Sequence, residues 1–196
     1  MASRAAPTVL ETARLTLRAL RPDDARSLCS LWKRNRDRFR DSFPEAVEQL
    51  ADRGNGLGYV AARAVDWAAC VGFWYGIWER TSGAFVGQVH VKHLDWELCR
   101  AELAYLIDRE AEGKGLATEA VQRVVAMCFD ELRLHKVFLR IIVGNERSAE
   151  VARRCGFSLE GTLRGEFLTA GQTRVDLHYF GLLVTDERPP WPVPPQ

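Results

Sequence analysis

The chain has 196 residues, 47% hydrophobic and 27% charged, with a formal net charge of +1. That is ordinary globular composition, long enough for one domain with a real core. So even a charge balance does not suggest a dedicated nucleic-acid binder, and no apolar run approaches the length of a membrane span.

Five cysteines (Cys29, Cys70, Cys99, Cys128 and Cys155) are scattered and odd in number, which argues against a disulfide framework and fits a reducing cytoplasm. Neither a CxxC pair nor an HExxH stands in the sequence, so no metal is expected. The opening "MASRAAPTVLETARLTLR" lacks an apolar signal core, so export is not expected.

In chain order, "LTLRAL" (15–20) alternates as a strand. "RPDDARSLCSLWKRN" follows, with Asp23 or Asp24 placed to cap a helix whose apolar stripe is Ala25, Leu28, Leu31 and Trp32. Residues 44–70 read as helical in parts, interrupted by "GNGLG" (54–58). "GFWYGIWE" (72–79) and "AFVGQVHVKHL" (84–94) flank "RTSG" as a hairpin, and "CRAELAYLI" (99–107) is a further strand. Leu116–Phe129 is a helix, with Thr118, Glu119, Gln122, Arg123 and Asp130 on its polar side. "KVFLRIIV" (136–143) is a buried-type strand, apolar apart from Arg140 and its first lysine. "SAEVARRC" (148–155) is a short helix stopped by Gly156. "FSLEGTLR" and "TRVDLHYFGLLV" close the fold as two strands. The tail "RPPWPVPPQ" (188–196) cannot join a sheet and is expected to be loose. This is one mixed α/β domain over residues 9–184, with flexible tails at 1–8 and 185–196.

Two stretches carry chemistry. In "DREAEGKGLATEA" (108–120), Gly113 and Gly115 stand where a strand hands over to a helix. A helix start exposes unpaired N–H groups, and glycines let an anion approach them, so the turn suits phosphate. It fails the Walker pattern, because Gly115 follows Lys114, and the dinucleotide fingerprint, because Thr118 replaces the third glycine. A purely structural turn is the competing reading. The second stretch is "VGNERSAEVARRCGFSLEG" (143–161), where Asn145 ends a strand and a short helix leads to Gly-Phe and then Leu-Glu-Gly.

Taken with "AELAYLI…EGKGLATEA", "ETARLTLRALRPDDA" and "EGTLRGEFLTAGQTRVDLHYFGLL", this second stretch resembles the GNAT superfamily of N-acetyltransferases, and within it the RimJ/RimL-like branch. The resemblance implies a mostly antiparallel mixed sheet of about seven strands. It would splay between the fourth and fifth (Ala101–Ile107 and Lys136–Val143), with helices on both faces. Acetyl-CoA, without a metal, would lie in the split. Its pantetheine arm would bond the backbone of Tyr105, Leu106 and Ile107. Its pyrophosphate would rest on Glu112, Gly113, Lys114, Gly115, Leu116 and Ala117, and Asn145 would hold the arm from the opposite wall. Glu110 and Glu112 depart from the branch's pattern by placing carboxylates beside the phosphates.

For chemistry, Glu102 is the candidate base, against a reading as an ion-paired sheet carboxylate. Ala152 stands where many relatives have a tyrosine acid. The resemblance to the branch implies that Ser148, three residues after Asn145, is the candidate acid, against a reading as the helix N-cap. His90 or His93 is held in reserve as a proton shuttle. "KRNRDRFR" (33–40) reads as an exposed basic face. The expected function is acetyl transfer to a primary amine, on a protein N-terminus or a small molecule, in the cytoplasm. No nucleic acid or membrane partner is expected, and an exposed sheet edge leaves room for a homodimer. The alternative is a catalytically weak acyl-CoA sensor on the same fold.

Overall fold

A computed structural model of the chain describes residues 5–50 and 53–190. Its eight strands are β1 (Val9–Glu11), β2 (Leu15–Ala19), β3 (Phe73–Glu79), β4 (Phe85–Asp95), β5 (Arg100–Ile107), β6 (Lys136–Ile142), β7 (Ser158–Leu168) and β8 (Arg174–Leu183). They form one sheet in the order β1-β2-β3-β4-β5-β6-β8-β7. All neighbours are antiparallel except β5 and β6, which run parallel. Seven of these strands are legible in the sequence. β1 was not anticipated, because three residues are too few to show alternation.

The helices are α1 (Ala25–Arg34), α2 (Arg36–Phe39), α3 (Pro44–Gln49), α4 (Arg53–Ala68), α5 (Leu116–Asp130) and α6 (Glu146–Arg154). The sheet separates two apolar clusters. On one face Ala101, Leu103 and Ile107 of β5 pack with Leu116, Ala120, Val121 and Val124 of α5. On the other, Leu106 packs with Leu28, Leu31 and Trp32 of α1 and Tyr59 and Val60 of α4. Odd and even positions of β5 therefore serve opposite faces, as a strand's period of two requires.

Two expectations fail for local reasons. The glycine run 54–58 does not interrupt a helix, because α4 runs through it. A Cβ at Gly56 would stand 2.5 Å from Cys29 Sγ, so glycine here permits the close crossing of α1. Neither Asp23 nor Asp24 caps α1 through its side chain. The Asp24 carboxylate instead accepts from Arg18 Nη1 at 2.7 Å and Arg21 N at 2.7 Å. The chain ahead of β1 is also packed. Ala6 is buried, and Pro7 O accepts from the Tyr75 hydroxyl at 2.6 Å. Residues 191–196 of the proline-rich tail lie outside the described residues.

His90 of β4 is buried between Phe43 and Trp74, with ring centroids 6.3 and 6.1 Å away. Its Nε2 has no hydrogen-bond partner among the described residues. Burial, with Lys92 and Arg63 adding to it, pushes its pKa down to about 3 from 6.5. The folded ring thus stays neutral while the unfolded ring takes a proton, so stability falls as pH drops from 6.5 toward 3. Urea unfolding is expected to lose up to about 1.4 kcal/mol per pH unit in this window. The slope between pH 6.5 and 5, above most carboxylate titrations, is expected to flatten in His90→Leu. An equal slope in the variant would remove His90 from the account.

Candidate active site

β5 and β6 pair only from Arg100↔Lys136 to Leu103↔Leu139. Beyond that point β5 stays with β4, out to Gly87↔Ile107, and β6 stays with β8, out to Ile142↔Leu177. A Cβ at Gly87 would lie 2.3 Å from Leu106 O, so glycine there lets β5 keep its grip on β4 past the fork. The edge of β5 from Ala104 to Ile107 that faces β6 is left without a strand partner among the described residues. An extended chain can add to such an edge.

Side-chain pairs cross the fork on both faces. On the α5 face, Tyr105 reaches α6, where its hydroxyl lies 2.7 Å from Ser148 Oγ and donates to Ser148 O at 3.0 Å. On the opposite face, Arg140 of β6 donates from Nε to Glu102 Oε2 of β5 at 2.9 Å. A cavity of about 100 Å³ runs through the gap between them. Ser42, Phe43, Lys92, Glu102, Arg140 and Phe167 line it, as do Tyr105, Asn145 and Ser148. Four predicted site residues, Glu102, Tyr105, Asn145 and Ser148, thus meet in one place.

Asn145, not Ser148, caps α6: its Oδ1 accepts from Ser148 N at 3.2 Å. The helix begins two residues earlier than expected, which frees the Ser148 hydroxyl for Tyr105. Burial raises the Tyr105 pKa well above its usual value, against the hydrogen bond to Ser148, so the phenol keeps its proton.

The glycine turn sits at the open end of the fork. Gly113 and Gly115 have φ of +74° and +75°, the left-handed region that other residues rarely occupy. Gly115 N-caps α5, so the first-turn N–H groups of that helix open beside an exposed loop. The loop is braced from the turn between β1 and β2. Arg14 donates from Nη1 to Lys114 O at 2.7 Å and from Nε to Glu119 Oε2 at 2.6 Å, and Thr12 Oγ1 donates to Glu119 Oε1 at 2.6 Å. Glu119 is therefore buried rather than on the polar side of α5. A carboxylate in the first turn also suits the helix dipole.

The carboxylates beside this loop are accounted for. Glu110 is exposed to water. Glu112 pairs with Arg38 of α2 and, at 2.9 Å, with Arg147 of α6. The basic run 33–40 is largely exposed, and two of its arginines have partners: Arg34 pairs with Asp108 and Arg36 with Glu48. Asn35 receives the N–H of Arg109 on its Oδ1 at 3.0 Å. These contacts fasten α1 and α2 to the turn that follows β5.

Glu102 is 3% exposed and ion-paired on every side. Lys92 Nζ lies 3.3 Å from Oε1, while His93 Nδ1 and Arg140 Nη2 each lie 2.8 Å from Oε2. Burial alone would raise its pKa, but the charges of Lys92 and Arg140, with hydrogen bonds from Arg140 and His93, outweigh burial and hold it below the ordinary carboxylate value. The partners come from the neighbouring strands β4 and β6, while Arg100 of β5 itself pairs with Asp95. His93 has φ +48° and lies where the β4–β5 register slips between Lys92 and Asp95. Strained backbone of this kind concentrates at functional sites.

Sequence reasoning passed over Lys92, Arg140, Thr12, Arg14 and Arg38. One signal stood in plain view: Arg140 is the charge inside an otherwise apolar strand, and a charge there must face a partner.

The model of the acetyltransferase (GNAT) domain matches residues 14–158. The chain belongs to the GNAT family. It is 33% identical over 172 residues to a protein of Bacillus subtilis named as a ribosomal N-acetyltransferase, YdaF, a match covering 86% of this chain and 91% of YdaF. It is 37% identical to the spermidine N(1)-acetyltransferase of Escherichia coli over 92 residues, about half of either chain. RimL, a ribosomal L7/L12 alpha-N-protein acetyltransferase solved with coenzyme A, superposes with a TM-score of 0.84 over 91% of this chain and 99% of its own. At 17% identity that likeness shows the fold. Spermidine N-acetyltransferase of Vibrio cholerae, solved with CoA and spermine, gives 0.76 at 25% identity over 89% and 98%. This GNAT chain is an N-acetyltransferase. Among the described residues, no helix is long and apolar enough to cross a membrane, and no group of three or more His, Cys, Asp or Glu stands ready to hold a metal ion.

Proposed function

We propose that the chain transfers acetyl from acetyl-CoA to a primary amine, on a protein N-terminus or a small molecule, by direct attack on the thioester. The observation that carries this is the fork between β5 and β6, open from Ala104 onward, with the left-handed glycine turn at its mouth. The fork offers a strand edge to the pantetheine arm, with Tyr105, Leu106 and Ile107 supplying backbone bonds. The turn from Glu112 to Ala117 offers N–H groups to the pyrophosphate. The amide nitrogen of Asn145 remains available to the arm, since only its oxygen is spent on Ser148. The relatives solved with CoA support the same cosubstrate here.

In the reaction the amine loses a proton and attacks the carbonyl carbon. The C–S bond breaks and the C–N bond forms. The nitrogen's second proton leaves to a base, and the thiolate takes a proton to leave as CoA thiol. Glu102, held charged by its cations, is a weak base on its own. It is placed to orient His93 by accepting from Nδ1, which leaves Nε2 for the amine proton. Ser148, with the Tyr105 hydroxyl 2.7 Å away, supplies the proton to the sulfur.

Thiol release from acetyl-CoA across a panel of amines tests the whole. Tight binding with no release against any amine would favour the sensor reading. Ser148→Ala is expected to lower kcat about tenfold and to leave the KM for acetyl-CoA unchanged. That is a modest loss for a general acid, because a thiolate leaves readily. An unchanged kcat would remove Ser148 from the chemistry.

A further inference from the structure

The cavity at the fork is lined by three charged side chains, and two of them are cations. Lys92 and Arg140 face one carboxylate, Glu102. That carboxylate is already engaged by Lys92, by His93 and by two nitrogens of Arg140. Its single negative charge is outnumbered by those two cations, so it offers an ammonium group little net attraction. The cations are not spent in the same way. Among the described residues, Lys92 Nζ and Arg140 make ionic contacts only with Glu102, and the guanidinium commits Nε and Nη2 to it while Nη1 is left uncommitted. Both side chains are about a third exposed, at 29% and 30%, on the cavity side. The rest of this wall is apolar or neutral: Phe43, Phe167, Leu177 and Ser42.

Such a lining repels a polycation and leaves donors for an anion. We infer that the acceptor amine is carried by a molecule with a carboxylate close to the amine, which Lys92 and Arg140 receive while the nitrogen reaches the thioester. This rests on the acetyl-transfer reading and narrows its acceptor. Arg fits a carboxylate with its planar fork, and Lys adds a point charge beside it. A wider hollow of about 610 Å³ lies between α2, α3 and the turn joining β7 to β8, and it carries both signs (Arg36 and Arg40 against Asp37, Glu45 and Glu48). With three acids against two bases it does not select an anion, so that preference rests on the cavity at the fork.

Two sources present this chemistry, a free α-amino acid and a peptide with an acidic residue beside its N-terminus. Matched pairs separate them. Alanine is compared with alaninamide, and the dipeptide amide Ala-Glu with its isostere Ala-Gln; spermidine is the polycation. The readout is kcat/KM by thiol release, with acetyl-CoA affinity measured separately by calorimetry. We expect the carboxylate member of at least one pair to exceed its amide by about tenfold or more, and spermidine to fall below both. The pair that shows the preference identifies the source. Lys92→Met is expected to erase most of that preference through the acceptor KM, with acetyl-CoA affinity held. Equal rates within both pairs, or spermidine as the best acceptor, would overturn the anionic acceptor and leave acetyl transfer standing. Cofactor binding without turnover of any amine would overturn both. The comparison of pairs on the unaltered protein decides the matter even if the Lys92 variant does not fold.

Discussion

Replacing Gly115 by glutamate is expected to weaken acetyl-CoA binding by about 100-fold or more while the far-ultraviolet circular dichroism is kept. Gly115 caps α5 with φ +75°, next to where the proposed pyrophosphate meets the first-turn amides. A carboxylate there adds like charge at a few ångström, and about 3 kcal/mol of repulsion suffices for that loss. Strain must be separated from charge, because any side chain at this φ costs about 1 kcal/mol. Gly115→Ala carries the same strain without the charge, and its Cβ would meet Arg14 Nη2 only at an ordinary 3.5 Å. It is expected to lose less than tenfold. Calorimetry with acetyl-CoA reads both variants. Unchanged affinity in the glutamate variant would place the phosphates elsewhere.

The sheet was legible because its strands are long enough to alternate, and the two that part company were the two named from sequence. What escaped notice is mostly long-range pairing. Nothing local says that Glu119, one turn into a helix, will be buried. Its partners Thr12 and Arg14 lie more than a hundred residues upstream. Glu112 looked like a repulsive intruder at a phosphate loop because its counter-charges, Arg38 and Arg147, come from two other elements. The run "KRNRDRFR" is largely solvated, as its charge suggests, and what its sequence does not show is that Arg34 and Arg36 hold carboxylates of other elements. Ser148 was weighed as a cap because serine is a good one. The chain instead caps with Asn145, and this releases the hydroxyl toward Tyr105. Local rules fix which residues can cap or pair, and the fold decides which of them do.

Glu102 offers the second large effect. Glu102→Gln keeps the shape and removes the one negative charge among the charged residues lining the cavity. Lys92 and Arg140 then confront each other without a counter-ion, and His93 loses the acceptor that orients its ring. Removing one partner from a buried ion pair costs about 3–5 kcal/mol. Lys92 and Arg140 are about a third exposed, so water screens part of this, and we expect about 1–3 kcal/mol by urea unfolding at pH 7. A double-mutant cycle with Arg140→Met is expected to recover part of the loss, since removing the unpaired cation removes its penalty. Because the folded carboxylate titrates below its ordinary value of 4.5, its contribution is complete above that pH and is lost as pH falls toward the folded value. The stability gap between native chain and variant should therefore close below pH 4.5. Turnover is expected to fall about 100-fold or more, the range for losing base catalysis. The loss should appear in kcat, with acetyl-CoA affinity kept, because Glu102 lies on the sheet face opposite Tyr105. A variant that turns over normally while still destabilised would make Glu102 purely structural and leave His93 to act unaided.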